Sequence, residues 1–143
     1  MKHGWTADKE ILDEAKPILD RFFWDVFPAT YANRIEVPTT KGLYMFSTIV
    51  EVNNADGVHI FRNPFYIGQS EDLSIKKRFE KHTKKPEWRK MQKVYGRNFT
   101  FSYAEIDKDL HYKIVDWEDI LIRAFGPTQN QKYSRRQAVI EGA

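Results

Sequence analysis

The stretch that most limits how this chain can fold is Phe65-Tyr66-Ile67-Gly68-Gln69-Ser70, which runs almost at once into Ser74-Ile75-Lys76-Lys77-Arg78-Phe79-Glu80-Lys81-His82. Aromatic and β-branched residues that close on a glycine read as a strand that stops, and Asp72 or Ser74 can cap the helix that follows. Side chains from two elements meet at such a junction, and chemistry tends to collect there.

The flanking sequence supplies partners for that unit. Ile11, Leu12, Ala15, Ile18, Leu19, Phe22, Phe23 and Val26 recur at helical spacing, so residues 8–27 predict an amphipathic helix. Thr6 is a candidate cap, Pro17 a kink or break, and Phe27-Pro28 the end. Lys41 to Val52 reads as a strand, Asn53-Asn54-Ala55-Asp56-Gly57 as a turn, and Val58-His59-Ile60-Phe61 as the return of a hairpin or meander. Asn63-Pro64 then reopens the chain into the Phe65-Tyr66-Ile67 strand. A helix over 72–83 stops at Lys84-Lys85-Pro86, and a shorter one from Glu87 to Tyr95 ends at Gly96. Phe99 to Ile106 alternates aromatic with small or polar residues, as a third strand would. A last helix from Leu110 to Phe125 stops before Gly126-Pro127, Thr128 to Gln131 form a loop, and residues 132–143 read as a frayed polar tail.

This order predicts an α+β fold with a small three-stranded antiparallel sheet flanked by helices and an extra N-terminal helical segment over 6–27. At 143 residues and 41% hydrophobic, one domain over 1–143 is expected, as a monomer or a homodimer. Cysteine is absent, which removes disulfides, thiolate nucleophiles and Cys-ligated zinc. No apolar run approaches the roughly 20 residues of a membrane span, and the N-terminus lacks a signal-like apolar block. A cytoplasmic protein without a membrane partner is therefore expected.

Charge is unevenly placed. Residues 76–97 hold ten Lys and Arg against Glu80 and Glu87, a net of +8, so the overall +3 leaves −5 for the remainder. A basic block on an otherwise acidic chain is the footprint of a polyanion binder. Lys76, Lys77, Lys81, Lys84, Lys85, Arg89 and Lys90 are its candidate nucleic-acid contacts, and a solvated helix face is the plainer alternative.

Glu118 is the anomaly of the last helix. Its neighbours three and four positions away are Ile114, Val115, Leu121 and Ile122, so the carboxylate leaves an apolar face and needs a metal, an arginine such as Arg78, or a proton. Arg78 and His82 share a face one turn apart. Tyr44 and Tyr66 are, by composition, ordinary strand tyrosines. His59 and His111 have no partner legible in the sequence.

Gly42-Leu43-Tyr44, Tyr66-Ile67-Gly68, Arg78 with His82 on the next helix, and Glu118 followed twelve residues later by Asn130 stand together in the order of one known family. Over residues 41–131 the chain resembles the GIY-YIG nucleases. The resemblance implies a metal-dependent endonuclease that hydrolyses a phosphodiester. Tyr44, Tyr66, Arg78, His82, Glu118 and Asn130 would then be its catalytic set, Glu118 would hold one Mg²⁺ or Mn²⁺, and DNA, duplex or branched, would be the partner, with RNA an open alternative. A module that keeps the fold and binds nucleic acid without cutting is the rival reading. Three departures from the family pattern stand out. Twenty-one residues separate Tyr44 from Tyr66, and twelve positions separate Tyr66 from Arg78, both longer than in compact members. Gln69 stands where some members carry lysine, and it is counted among the nucleic-acid contacts.

Overall fold

The computed structural model describes residues 2–5, 9–127 and 130. In chain order the elements are β1 (Lys2–Trp5), α1 (Lys9–Arg21), β2 (Asp25–Pro28), a 3-10 turn (Tyr31–Glu36), β3 (Gly42–Asn54) and β4 (Gly57–Gln69). They are followed by α2 (Ile75–Thr83), α3 (Pro86–Tyr95), β5 (Phe99–Glu105), a second 3-10 turn (Lys108–Lys113) and α4 (Ile114–Phe125). The expected cap Thr6, residues 128, 129 and 131 of the loop and the tail over 132–143 lie outside the described residues, as do the side chains of Ile11 and Leu12.

The fold is α+β, with one sheet in the order β1-β4-β3-β5-β2. Four strands are antiparallel neighbours, and β1 adds a parallel edge against His59–Arg62. The expected three strands are thus five, and β2 accounts for one of the two additions. Phe22, Phe23 and Val26 fit helical spacing, yet α1 ends at Arg21 and Asp25–Pro28 pairs with Thr100–Tyr103. The pairing sets Phe27 5.8 Å from Phe101 and 6.1 Å from Tyr103, ring to ring, and this burial overrides the periodicity. Pro28 is tolerated because β2 is a short edge strand. Pro17 neither splits nor ends α1, whose Ala15 and Ile18 are packed into the core on either side of it.

The central strand β3 alternates its side chains between two layers. Leu43 and Met45 join Ile18 of α1 and Ile114, Leu121 and Ile122 of α4 on one face. Tyr44 and Phe46 join Phe79 of α2, Trp88 of α3 and Phe99 and Phe101 of β5 on the other. Burial on both faces explains the continuous apolar run from Leu43 to Phe46. The enlarged connection after Tyr44 is the ribbon of β3 and β4, closed by Ala55-Asp56 between the paired Asn54 and Gly57. Gly57 has φ of 118°, a conformation that needs glycine.

β4 runs unbroken through Pro64, which differs from the expected restart there. Phe46 pairs with Tyr66 and Ser47 with Pro64, so Phe65 is an extra residue in a bulge. Consecutive strand residues ordinarily face opposite ways, but both Phe65 and Tyr66 pack on the Phe46 face. Among the described residues, no helix is long and apolar enough to cross a membrane.

Candidate active site

Ser74 caps α2 by accepting from the Lys77 N–H, which sets the phase of the helix so that Phe79, His82 and Thr83 turn inward. Arg78 and His82 thereby border a cavity of about 410 Å³ with Tyr44, Gln69, Glu118 and Asn130. Five elements or loops, β3, β4, α2, α4 and the segment after α4, contribute to its polar part. The resemblance's six catalytic candidates and Gln69 are thus brought together. Of the basic block, Lys85 alone joins the lining besides Arg78; Lys77 and Lys81 on α2, Lys84 in the link and Arg89 and Lys90 on α3 are exposed outside that lining, and Lys76 is half-buried.

Tyr44 is fully buried and its hydroxyl lies 3.0 Å from His82 Nε2. Its ring stacks on Tyr66 at 6.1 Å, and Tyr66 lies 4.5 Å from the His82 ring. Burial pushes the Tyr44 hydroxyl well above the ordinary tyrosine range; Tyr66 and Glu118 add to the shift and Arg78 opposes it. His82 is moved the other way, to about 3, mainly by burial and then by the neighbouring Lys85 and Arg78. At neutral pH the pair is therefore an un-ionised tyrosine against a neutral imidazole, the tyrosine donating when Nδ1 carries the ring proton.

Gly68 is what lets Tyr44 lie there. The two residues are directly paired across β3 and β4, and a Cβ on Gly68 would collide with the ring and hydroxyl of Tyr44. Gly68→Ala is expected to displace Tyr44 from His82 and to cost ~1–3 kcal/mol of stability, as overpacking does. Urea denaturation reads this directly, and an unchanged midpoint would show that the Tyr44 ring yields freely.

Arg78 Nη2 donates to Asp72 Oδ1 at 2.6 Å, and this bond holds the Asp72 carboxyl below the usual carboxylate range. Arg78 Nε is buried and has no hydrogen-bond partner among the described residues. Glu118 is only 4% exposed, yet it borders the cavity from α4, whose apolar residues belong to the opposite layer. No three His, Asp or Glu cluster as a metal group among the described residues. Asn130 uses its amide differently: Nδ2 donates to Ile67 O at 2.7 Å and Oδ1 accepts from Ile67 N at 3.0 Å. It holds the segment after α4 against β4.

The cavity continues into an aromatic part that the sequence reading missed. Phe65 and Trp88 both contact Phe99, at centroid distances of 5.9 and 6.3 Å. Phe46 joins the two parts, 5.6 Å from Phe99 and 5.1 Å from His82. Lys85 Nζ stands 5.9 Å from the Tyr66 ring centroid, and Glu87 lines the same space. The available signals were a tryptophan inside the basic block and two adjacent aromatics after Pro64.

The pair's titration has a measurable consequence. His82 has a folded pKa below its unfolded value of about 6.5, so the unfolded chain binds the extra proton and stability falls as pH falls from 6.5 toward 3. By pH 4.5 this group should cost the wild type ~2–3 kcal/mol relative to its contribution at pH 7. Urea melts of wild type and His82→Gln at both pH values isolate the effect, because the other groups titrate in both proteins. Equal acid losses would remove His82 as the source.

No family model, curated protein or solved structure matches this chain.

Proposed function

We propose that this protein is a metal-dependent endonuclease that hydrolyses a phosphodiester, built on the GIY-YIG plan. The observation that carries the reading is one cavity bordered by a buried carboxylate, Glu118, an arginine with an unpartnered Nε, Arg78, and a hydrogen-bonded Tyr44–His82 pair. A site that is only structural has little reason to bring these chemistries to one opening.

Arg78 would bind a non-bridging phosphate oxygen. Its planar fork suits that geometry better than an ammonium does, and its Nε has no acceptor among the described residues. Glu118 would be the protein ligand of Mg²⁺ or Mn²⁺, an oxygen donor of the kind these ions take, and the ion's chemistry when bound is to offset charge on the leaving oxygen. Tyr44 would take a proton from the attacking water while passing its own to His82 Nε2, with Tyr66 packed against both rings. Burial and the cations Lys85 and Arg78 keep His82 a poor base at rest. A bound phosphate would offset those two charges and raise the affinity of His82 for the proton, tying base strength to substrate binding. The exposed lysines of α2 and α3 would supply sequence-independent attraction to the backbone.

Incubating supercoiled plasmid DNA with the protein and Mg²⁺ or Mn²⁺, beside an EDTA control, tests the reading. Nicked or linear product that EDTA abolishes is expected. Binding without any cleavage in either metal would replace the nuclease with the non-catalytic binder.

A further inference from the structure

We infer that the aromatic part of the cavity receives a nucleobase drawn out of the helical stack next to the scissile phosphate, so that the preferred substrate carries an unpaired nucleotide. The inference rests on the nucleic-acid reading of the site and adds the substrate class to it. A phosphodiester held within an unbroken duplex calls for cations and has no use for an aromatic pocket, yet this protein continues its polar pocket into Phe65, Trp88 and Phe99.

Three features point to a base in that space. The bulge in β4 puts Phe65 on the same face as Tyr66, which gives the cavity an aromatic wall that regular alternation would have turned away. Trp88 is 7% exposed, and its indole N–H is buried without a hydrogen-bond partner among the described residues, so a donor is still to be satisfied beside a stacking surface. Glu87 lines the same space. A carboxylate repels phosphate but accepts from the exocyclic amine of a base. Lys85 stands toward Tyr66, and Lys84 in the link before α3 and Arg89 and Lys90 on α3, the helix that carries Glu87 and Trp88, are exposed and available to a backbone leading to the extruded nucleotide. A cavity of about 410 Å³ is within the range that holds a ligand of nucleotide size. Extrusion costs least where a base is already unpaired, which is the source of the selectivity.

The test compares a fluorescein-labelled 20-base-pair duplex with the same duplex carrying one unpaired 2-aminopurine, both titrated in Ca²⁺. The wild type is expected to bind the unpaired substrate at least ~10-fold tighter, the scale set by one base–aromatic stack, and to change the 2-aminopurine emission on binding. Phe65→Ala and Trp88→Ala should each bring the ratio of the two affinities toward one. Lys84→Ala with Arg89→Ala should weaken both substrates and leave the ratio unchanged. If Trp88→Ala fails to fold, the half-buried Phe65 carries the comparison. Equal wild-type affinities, or a ratio unmoved in Phe65→Ala, would overturn the inference. A persistent ratio in a protein that never cleaves would overturn the nuclease reading and leave the base pocket standing.

Discussion

Glu118→Gln is expected to abolish metal-supported cleavage while leaving the fold and DNA binding in place. Glutamine keeps the volume and the hydrogen-bonding atoms of a side chain that is only 4% exposed, and removes the charge a divalent ion needs. Losing that ligand should cost several kcal/mol of transition-state stabilisation, on the order of 10³-fold in rate. The fold should tolerate the change because a neutral amide avoids the desolvation of a buried carboxylate. It also removes one cause of the raised Tyr44 pKa, so a spectrophotometric titration should find the tyrosine ionising more readily in the variant. Near wild-type cleavage would end the metal assignment. A large fall in melting temperature would instead identify Glu118 as half of a structural ion pair.

Arg78→Lys separates charge from geometry and should slow cleavage by on the order of 10²-fold while weakening DNA binding little. The lysine keeps the positive charge beside the cavity, but it cannot engage Asp72 and a phosphate oxygen together through a planar fork. Arg78→Ala should be slower still. Lys77→Ala, one position away and about 100° round α2, points to solvent and should cut like the wild type. Single-turnover rates, with affinity measured separately in Ca²⁺, distinguish these outcomes. If Arg78→Lys is silent, or if Lys77→Ala is as damaging, α2 provides diffuse charge and Arg78 has no particular role.

Local signals were enough for much of the fold. The Gly68 strand end and the Ser74 cap put α2 next to β4, and Gly96 and Gly126 mark the ends of α3 and α4. Glu118 stood out because its helical neighbours are apolar, and its burial follows from the same pattern. What escaped depends on pairings distant in sequence. β2 looked helical until Phe27 had β5 to pack on, and β1 is a strand through its parallel pairing with β4. The bulge at Phe65 is a relation between two strands, and it aims a side chain that alternation assigns to the other face. Lys85 and Trp88 were legible as charge and as an aromatic residue, but their place at the cavity depends on how α3 folds back after Pro86. For Asn130, spacing could identify the residue but not the backbone it grips.

That grip bears on how the chain keeps to itself. Among the described residues, β1 pairs with β4 along His59–Arg62, and a strand margin beyond such a pairing offers backbone donors and acceptors to an extended segment that comes alongside. The Asn130 amide takes up both groups of Ile67, as one residue of a neighbouring strand would. One side chain thus occupies, at Ile67 beside the cavity, the backbone groups that an added strand would use for its register there.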